Sequence, residues 1–141
     1  MVPHSDGDFT VEADVKNSLI RIAMHGFFGP DDIARFIAAR AKAHARLTCG
    51  PNEHLTLNDL RGMKIQSQQA VTDFRAILAD PAYRSRRLAF VVSETLARSQ
   101  LMRALAGRDA RCFSSVFLAE AWLLGVSASP SAPRQGSTIP R

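Results

Sequence analysis

RLAFVVS, residues 87–93, is the clearest strand pattern in the chain. Its apolar run from Leu88 to Val92 contains no polar residue, as expected of a strand whose two faces are both buried. Ser93 then caps a predicted helix that runs to about Ala106. A buried strand followed at once by a helix is typical of a parallel sheet with helices packed on it.

Strands and helices alternate on both sides of this unit. FTVEADV and SLIRIAMHGFF flank a turn at Lys16-Asn17 and predict an antiparallel pair of strands. Proline at the first helical position, followed by two carboxylates, marks the start of the next helix. The predicted strands lie in 9–15, 19–28, 54–62, 87–93 and 112–113, and the predicted helices in 30–47, 67–80, 93–106 and 115–124. The fold class is therefore α/β: a mixed sheet of about five strands with a parallel core and about four helices packed on it.

Length and composition fit one domain of this kind. The chain has 141 residues, 46% of them hydrophobic, which is enough for a buried core and too apolar for general disorder. We expect a frayed start over residues 1–8, a globular domain over 9–125 and a disordered, Ser/Pro-rich tail over 126–141.

The sequence carries no signal for a membrane or for secretion. No apolar run approaches the roughly 18 residues of a membrane span, and the N-terminal stretch lacks a basic segment followed by an apolar one. Cys49 and Cys112 are too few for a disulfide framework. We therefore expect reduced thiols and a cytoplasmic location.

Positive charge is concentrated in one part of the chain. The net charge is +5, and residues 81–111 contain seven arginines against Glu94 and Asp109. This segment fits either a patch for an anionic partner or a solvated face. Nucleic-acid binding is disfavoured, because the segment offers only Tyr83 and Phe90 for base stacking.

Three segments of the pattern resemble the STAS-like (SpoIIAA-like) domains. They are HLTLNDLRG with the uncharged helix start that follows it, LAFVVSETLARSQLMRAL, and CFSSVFLAEAWLL. The resemblance covers Phe9 to Gly125. It implies a bacterial domain that binds a protein or a small ligand without performing chemistry. The lipid-transfer relatives of the family enclose an apolar ligand.

One motif of that family is altered here. Its anti-sigma-factor antagonists carry Asp-Ser-Ser-Gly at the start of the second helix, and a partner kinase phosphorylates the second serine. The matching stretch in this chain is Gln66-Ser67-Gln68-Gln69, in which only Ser67 fits. Gln68 can donate hydrogen bonds but cannot accept a phosphoryl group. The resemblance therefore implies the binding surface of these domains without their phosphorylation switch.

The predicted binding surface lies where strands end and helices begin. In α/β sheets of this kind, ligands meet the carboxyl ends of the strands and the amino ends of the helices that follow. These positions come from the third strand with the second helix and from the fourth strand with the third helix, with two arginines as rim contacts. The candidate residues are Asn58, Asp59, Ser67, Gln68, Gln69, Ser93, Thr95, Arg98 and Arg103.

No pattern of residues predicts an active site, a metal site or a cofactor. The four histidines include no pair at i, i+4 and no zinc-type spacing with cysteine. His44 falls on the apolar stripe of the first helix with Phe36 and Ile37, which favours a histidine at the edge of the core. Asp59 beside Asn58 is typical of a hydrogen-bonding device at a strand end.

Three functions stay open on the sequence alone. The first is a non-enzymatic interaction or regulatory domain, which binds a protein partner or a small anionic ligand at the surface of the third strand and second helix. The second is a carrier of a small apolar, lipid-like ligand, suggested by the inward residues Phe27, Phe28, Phe36, Phe74, Phe90 and Met102. The third is a small hydrolase or transferase that uses Asp59, His25 or His44. A homodimer through an edge strand or a helix face is compatible with all three.

Overall fold

The computed structural model describes residues 5–93, 105 and 107–125. The apolar run that begins at Leu88 forms a strand of a five-stranded sheet. The strands lie side by side in chain order: β1 (Asp8–Asp14), β2 (Leu19–Gly26), β3 (Leu55–Met63), β4 (Arg87–Val91) and β5 (Ala110–Phe113). β1 is antiparallel to β2, and β2 to β5 are parallel. The predicted mixed sheet with a parallel core is confirmed.

Three α-helices accompany the sheet in the described part of the chain. They are α1 (Pro30–His44), α2 (Gln68–Ala79) and α3 (Val116–Leu124), and a 3-10 turn (Pro81–Tyr83) follows α2. The remaining predicted helix, 93–106, falls on residues 94–104 and 106, which lie outside the described residues.

The helix ends follow the sequence signals. The hydroxyls of Ser67 and Ser115 each accept the backbone N–H three residues ahead, at 3.1 Å. Both serines therefore cap a helix, as predicted. Gly125 ends α3 in the left-handed conformation, with φ of 72°, which glycine adopts at little cost.

The sheet is covered on both faces. On one face α1 and α2 pack on the β2 side chains Ile20, Ile22 and Met24. On the other face α3 covers a second cluster, which consists of Leu19, Leu55, Leu57, Ala89, Val91, Ala119 and Leu123. Burial on both faces explains why β4 has no polar alternation.

Several boundaries differ from the prediction, and both β2, which ends at Gly26, and β5, which begins at Ala110, differ by two residues. α1 ends at His44 rather than near Leu47, because the last backbone bonds tighten to i→i+3 spacing. Ile37, expected on the buried stripe of this helix, is 43% exposed. β3 runs to Met63, and its pairing with β2 continues past Asp59 across a bulge in β3, where three residue steps (59–62) face two in β2 (23–25).

Residues that the sequence assigned to a frayed start are held against the β2–α1 connection. The Ser5 hydroxyl donates to the Asp32 carboxylate at 2.5 Å. Asp6 exchanges two hydrogen bonds with the backbone of Phe27, at 3.0 and 2.8 Å. The bonds from Ser5 and from the Gly29 N–H lower the pKa of Asp32 to about 2.

Candidate functional site

Asn58 lies inside the molecule rather than on its surface. The residue is in the middle of β3, in register with Ile22 of β2 and Phe90 of β4. It is 7% exposed, and its side-chain nitrogen has no hydrogen-bond partner among the described residues. This buried position gives Asn58 no direct access to a partner.

Asp59 points to the opposite face of the sheet, because side chains alternate along a strand. Arg61 donates two hydrogen bonds to its carboxylate, at 2.9 and 2.8 Å. These bonds and, to a smaller extent, the charge of His25 lower the pKa of Asp59. A carboxylate general base that works at neutral pH needs a raised pKa. Asp59 is therefore an ion-paired residue without the properties of such a base.

Gln66 fixes the connection between β3 and α2. Its side-chain oxygen accepts the Phe28 N–H at 2.9 Å, and its nitrogen donates to the carbonyls of Gly26 at 2.8 Å and Lys64 at 2.6 Å. The Lys64 N–H also donates to Gly26 at 3.1 Å, and its ammonium lies 2.7 Å from the Asp6 carboxylate. The loop is thus tied to the end of β2. Sequence reasoning treated Gln66 only as part of an altered motif, since no spacing rule reports such a contact.

Two of the three polar side chains at the start of α2 form hydrogen bonds within the protein. Ser67 uses its hydroxyl as the helix cap. Gln69 donates to Asp73 one turn later, at 2.9 Å. Gln68 is exposed, and its side chain makes no hydrogen bond within the described residues. Of the three, Gln68 is the residue whose polar groups stay available to a partner.

The side chain of Ile65, just before the start of α2, is exposed to solvent. Ile65 is 94% exposed, the largest value among the exposed large apolar residues of the described chain, and Val71 is 40% exposed one turn into α2. Single exposed apolar residues are common on protein surfaces. Ile65 is unusual because its neighbours Lys64 and Gln66 are hydrogen-bonded on both sides of it. We call Ile65, Ser67, Gln68, Gln69 and Val71 the β3–α2 surface.

Ser93 lies at the same end of the sheet. It is exposed and follows β4 by two residues, and Val91 at the end of β4 is in register with Asp59. The other candidates from this part of the chain, Thr95, Arg98 and Arg103, lie outside the described residues.

Histidines meet at the opposite end of the sheet. The ring centroid of His44 is 4.3 Å from that of His54 and 4.8 Å from that of Tyr83, and Arg40 stacks on Tyr83 at 4.5 Å. The pKa of His44 falls to about 4, because of burial first and then the charges of His54 and Arg40. Burial lowers the pKa of His54 as well. Sequence reasoning placed His44 at the core edge but missed this cluster, because a loop separates the two histidines.

The residues of the enzyme hypothesis do not form one site. His25 lies close enough to Asp59 to influence its pKa. His44 instead contacts His54, which precedes β3. The five residue steps from His54 to Asp59 span about 16 Å along the extended chain. His44 is therefore separated from the other two.

The aromatic residues of the carrier hypothesis pack against one another. The ring centroids of Phe28 and Phe74 are 5.5 Å apart, and those of Phe36 and Phe74 are 6.4 Å apart. Phe90 is buried in a neighbouring cluster with Leu88. Met102 lies outside the described residues. These direct contacts leave the carrier hypothesis without support from the rings that suggested it.

The arginines that can be placed serve mainly as packing partners. Arg87 pairs with Asp109 at 3.1 Å and stacks on Trp122 at 5.1 Å. Arg111 stacks on the same indole at 5.2 Å. Arg108 donates to a backbone carbonyl of α2 at 3.1 Å. These contacts favour a structural role for this part of the arginine-rich segment.

The described ranges contain no arrangement typical of a metal centre or a membrane span. No group of three or more His, Cys, Asp or Glu residues there is placed to hold a metal ion. No helix in those ranges has both the length and the apolar character needed to cross a membrane. Cys49 and Cys112 are half-buried and form no disulfide.

The arrangement of strands and helices matches a solved structure. An uncharacterised protein of the DUF3478 family from Shewanella loihica PV-4, whose crystal structure is described as having a SpoIIAA-like fold, superposes with a TM-score of 0.67. The match has 14% sequence identity and covers 87% of this chain and 98% of that chain. The fold is SpoIIAA-like. No profile of a known family matches the chain, and no curated protein matches it.

This result confirms the STAS-like (SpoIIAA-like) fold predicted from the three sequence segments. At 14% identity the likeness shows the fold alone. The function of this SpoIIAA-like domain has to be argued from its own residues.

Proposed function

We propose that this SpoIIAA-like domain is a non-catalytic interaction domain that binds a protein partner through the β3–α2 surface. The observation that carries the proposal is Ile65, 94% exposed on a loop that Gln66 ties to β2. Burying an isoleucine side chain against a partner contributes roughly 1.5–3 kcal/mol. An apolar side chain held in solvent is the kind of group that becomes the anchor of an interface.

The loop that carries Ile65 is held in place before any partner binds, and this lowers the cost of binding. Association is costly when loops and side chains must be ordered. The loop at Ile65 is already held by the hydrogen bonds of Gln66 and Lys64, so little further ordering is required.

The chemistry of the surface favours a protein over a small anionic ligand. It offers the aliphatic side chains of Ile65 and Val71 and the uncharged amide of Gln68. The nearby Asp59 and Arg61 are already paired with each other. An anion would therefore find no unpaired cation in that pair. Exposed apolar side chains near an uncharged amide instead suit a protein interface.

Two further parts of the proposal follow from the residues present. Gln68 stands where the resembling antagonists carry their phosphoacceptor serine, so we propose binding that does not depend on phosphorylation at that position. The proposed location is the cytoplasm, in keeping with two thiols that form no disulfide.

Affinity capture with matched variants tests the proposal. The bait proteins are the wild-type chain, Ile65→Ser, Gln68→Arg, and the control Ile37→Ser, which changes the same residue type at a 43% exposed position on α1. We expect a protein that wild type and Ile37→Ser capture and that both β3–α2 variants lose, with unchanged circular dichroism. Equal capture by Ile65→Ser and Gln68→Arg would remove this surface from consideration. So would the lack of any protein that distinguishes wild type from these variants.

A further inference from the structure

An open cleft of about 380 Å³ lies at the end of the sheet opposite to the β3–α2 surface. It runs between the C-terminal end of α1 and the loop before β3, and the rings of His44, Pro51, His54 and Tyr83 line it. Its volume is within the range of small-molecule sites, about 300–1,000 Å³. We call it the histidine cleft.

Hydrogen bonds within the protein hold the polar side chains of the walls. The Nε2 atom of His54 lies 3.2 Å from the Ser85 hydroxyl. The Asn52 amide donates to the carbonyls of Pro81 at 3.1 Å and Arg84 at 2.9 Å. These bonds fix the loop and the side chains in position before any ligand arrives, which reduces the cost of binding.

His44 supplies a polar group that the protein does not use. Its ring contacts His54 and Tyr83, but neither ring nitrogen has a hydrogen-bond partner among the described residues. The pKa of His44 is about 4, so its imidazole is uncharged at neutral pH. A neutral imidazole presents one donor and one acceptor.

The lining itself carries no full charge, and Arg40, which stacks on Tyr83 without lining the cleft, pairs with Asp80 at 3.7 Å. No Asp, Glu, Lys or Arg belongs to the described residues that line the histidine cleft. A neighbouring cleft of about 570 Å³ differs, since Lys16, Glu53 and Arg86 line it. Burying a charged ligand without a counter-charge is unfavourable. The histidine cleft is thus suited to an uncharged ligand.

We infer that the histidine cleft binds a small, uncharged heteroaromatic molecule, whose ring packs against His54 and Tyr83 and which forms a hydrogen bond with the His44 imidazole. Edge-to-face and offset contacts between aromatic rings stabilise binding beyond the contribution of the apolar area that is buried. The cleft is separate from the β3–α2 surface, so the inference does not depend on the proposed function.

NMR of the histidine side chains tests the inference. The probes are indole and nicotinamide, which are uncharged, with benzoate and benzylammonium as charged counterparts of similar size. We expect saturable shifts of the His44 and His54 resonances with at least one uncharged probe, no shift of His25, and weaker responses to both charged probes. We also expect His44→Ala to weaken binding roughly three- to tenfold, the loss of one hydrogen bond. The control His25→Ala should leave the affinity unchanged.

Three results would overturn the inference. They are silence of both uncharged probes up to their solubility limits, equal responses to the charged probes, and unchanged affinity in His44→Ala. If His44→Ala does not fold, the wild-type comparison of uncharged with charged probes decides the question alone.

Discussion

The two ends of the parallel sheet place their polar side chains differently. At the C-terminal end, the side-chain amide of Gln66 forms hydrogen bonds with the backbone of Gly26 and Phe28. The neighbouring Ile65 is exposed to solvent. At the N-terminal end, His54 is 4% exposed and packs against His44, which also contacts Tyr83, and a cleft remains beside them. The same sheet thus has an exposed apolar side chain at one end and a recess of about 380 Å³ at the other.

The largest expected effect concerns the buried end. His54→Ala removes a packed ring and leaves the Ser85 hydroxyl, which also bonds to Thr56, without its imidazole partner, so we expect a loss of about 3 kcal/mol in the free energy of unfolding. Urea denaturation measures it. His25→Ala serves as the control and should change stability by less than about 0.5 kcal/mol. Equal losses in the two variants would contradict the difference drawn between the two ends.

The second effect is the pH dependence of stability. The folded pKa of His44, about 4, lies below its ordinary value of 6.5, so the unfolded chain binds a proton that the folded chain does not. The contribution is complete above pH 6.5 and is lost as the pH falls towards 4. Allowing for partial solvent screening, we expect a loss of about 2 kcal/mol across this window. His44→Gln should flatten the curve in part, because His54 still titrates. A curve that is flat in the wild type would contradict the assignment.

The third effect concerns the loop at the exposed end. Gln66→Ala removes the hydrogen bonds that tie the loop between β3 and α2 to the end of β2. We expect the free energy of unfolding to fall by about 1–2 kcal/mol. Hydrogen exchange at the Phe28 amide should become faster, since its acceptor is gone. The control Gln68→Ala should leave both quantities unchanged, because its side chain is exposed.

The smallest effect on stability is expected at Ile65. Ile65→Ser should change the free energy of unfolding by less than about 0.5 kcal/mol, because the side chain is 94% exposed. A loss above about 1 kcal/mol would show that Ile65 packs within the protein and would remove the main argument for the β3–α2 surface.

Much of the fold could be predicted from the sequence because local signals and tertiary packing agree. The unbroken run Leu88–Val92 marks a strand buried on both faces, and the structure places helices on both faces of the sheet. Ser67 and Ser115 cap helices as their positions indicate. The bulge in β3 after Asp59 could not be predicted, since no periodicity reports where the pairing of two strands shifts register.

The candidate site was less accessible to sequence reasoning. The rule that ligands meet the carboxyl ends of strands selected Gln68, which is exposed, but also Asn58, which lies buried in the middle of β3. Ile65 is the one apolar residue in the polar stretch 64–69, and this isolation is the sequence signal for its exposed position. The contact between His44 and His54 depends on the path of a loop, which no periodicity reports.

Site-directed photo-cross-linking tests the central claim, that the exposed end of the sheet is the partner-binding end. The chain is made with p-benzoylphenylalanine in place of Ile65 and, as a control, in place of Ile37, and is illuminated in cells of the source organism. We predict a discrete protein adduct from position 65 and none of the same mass from position 37. The same adduct from both positions, or from position 37 alone, would contradict the claim.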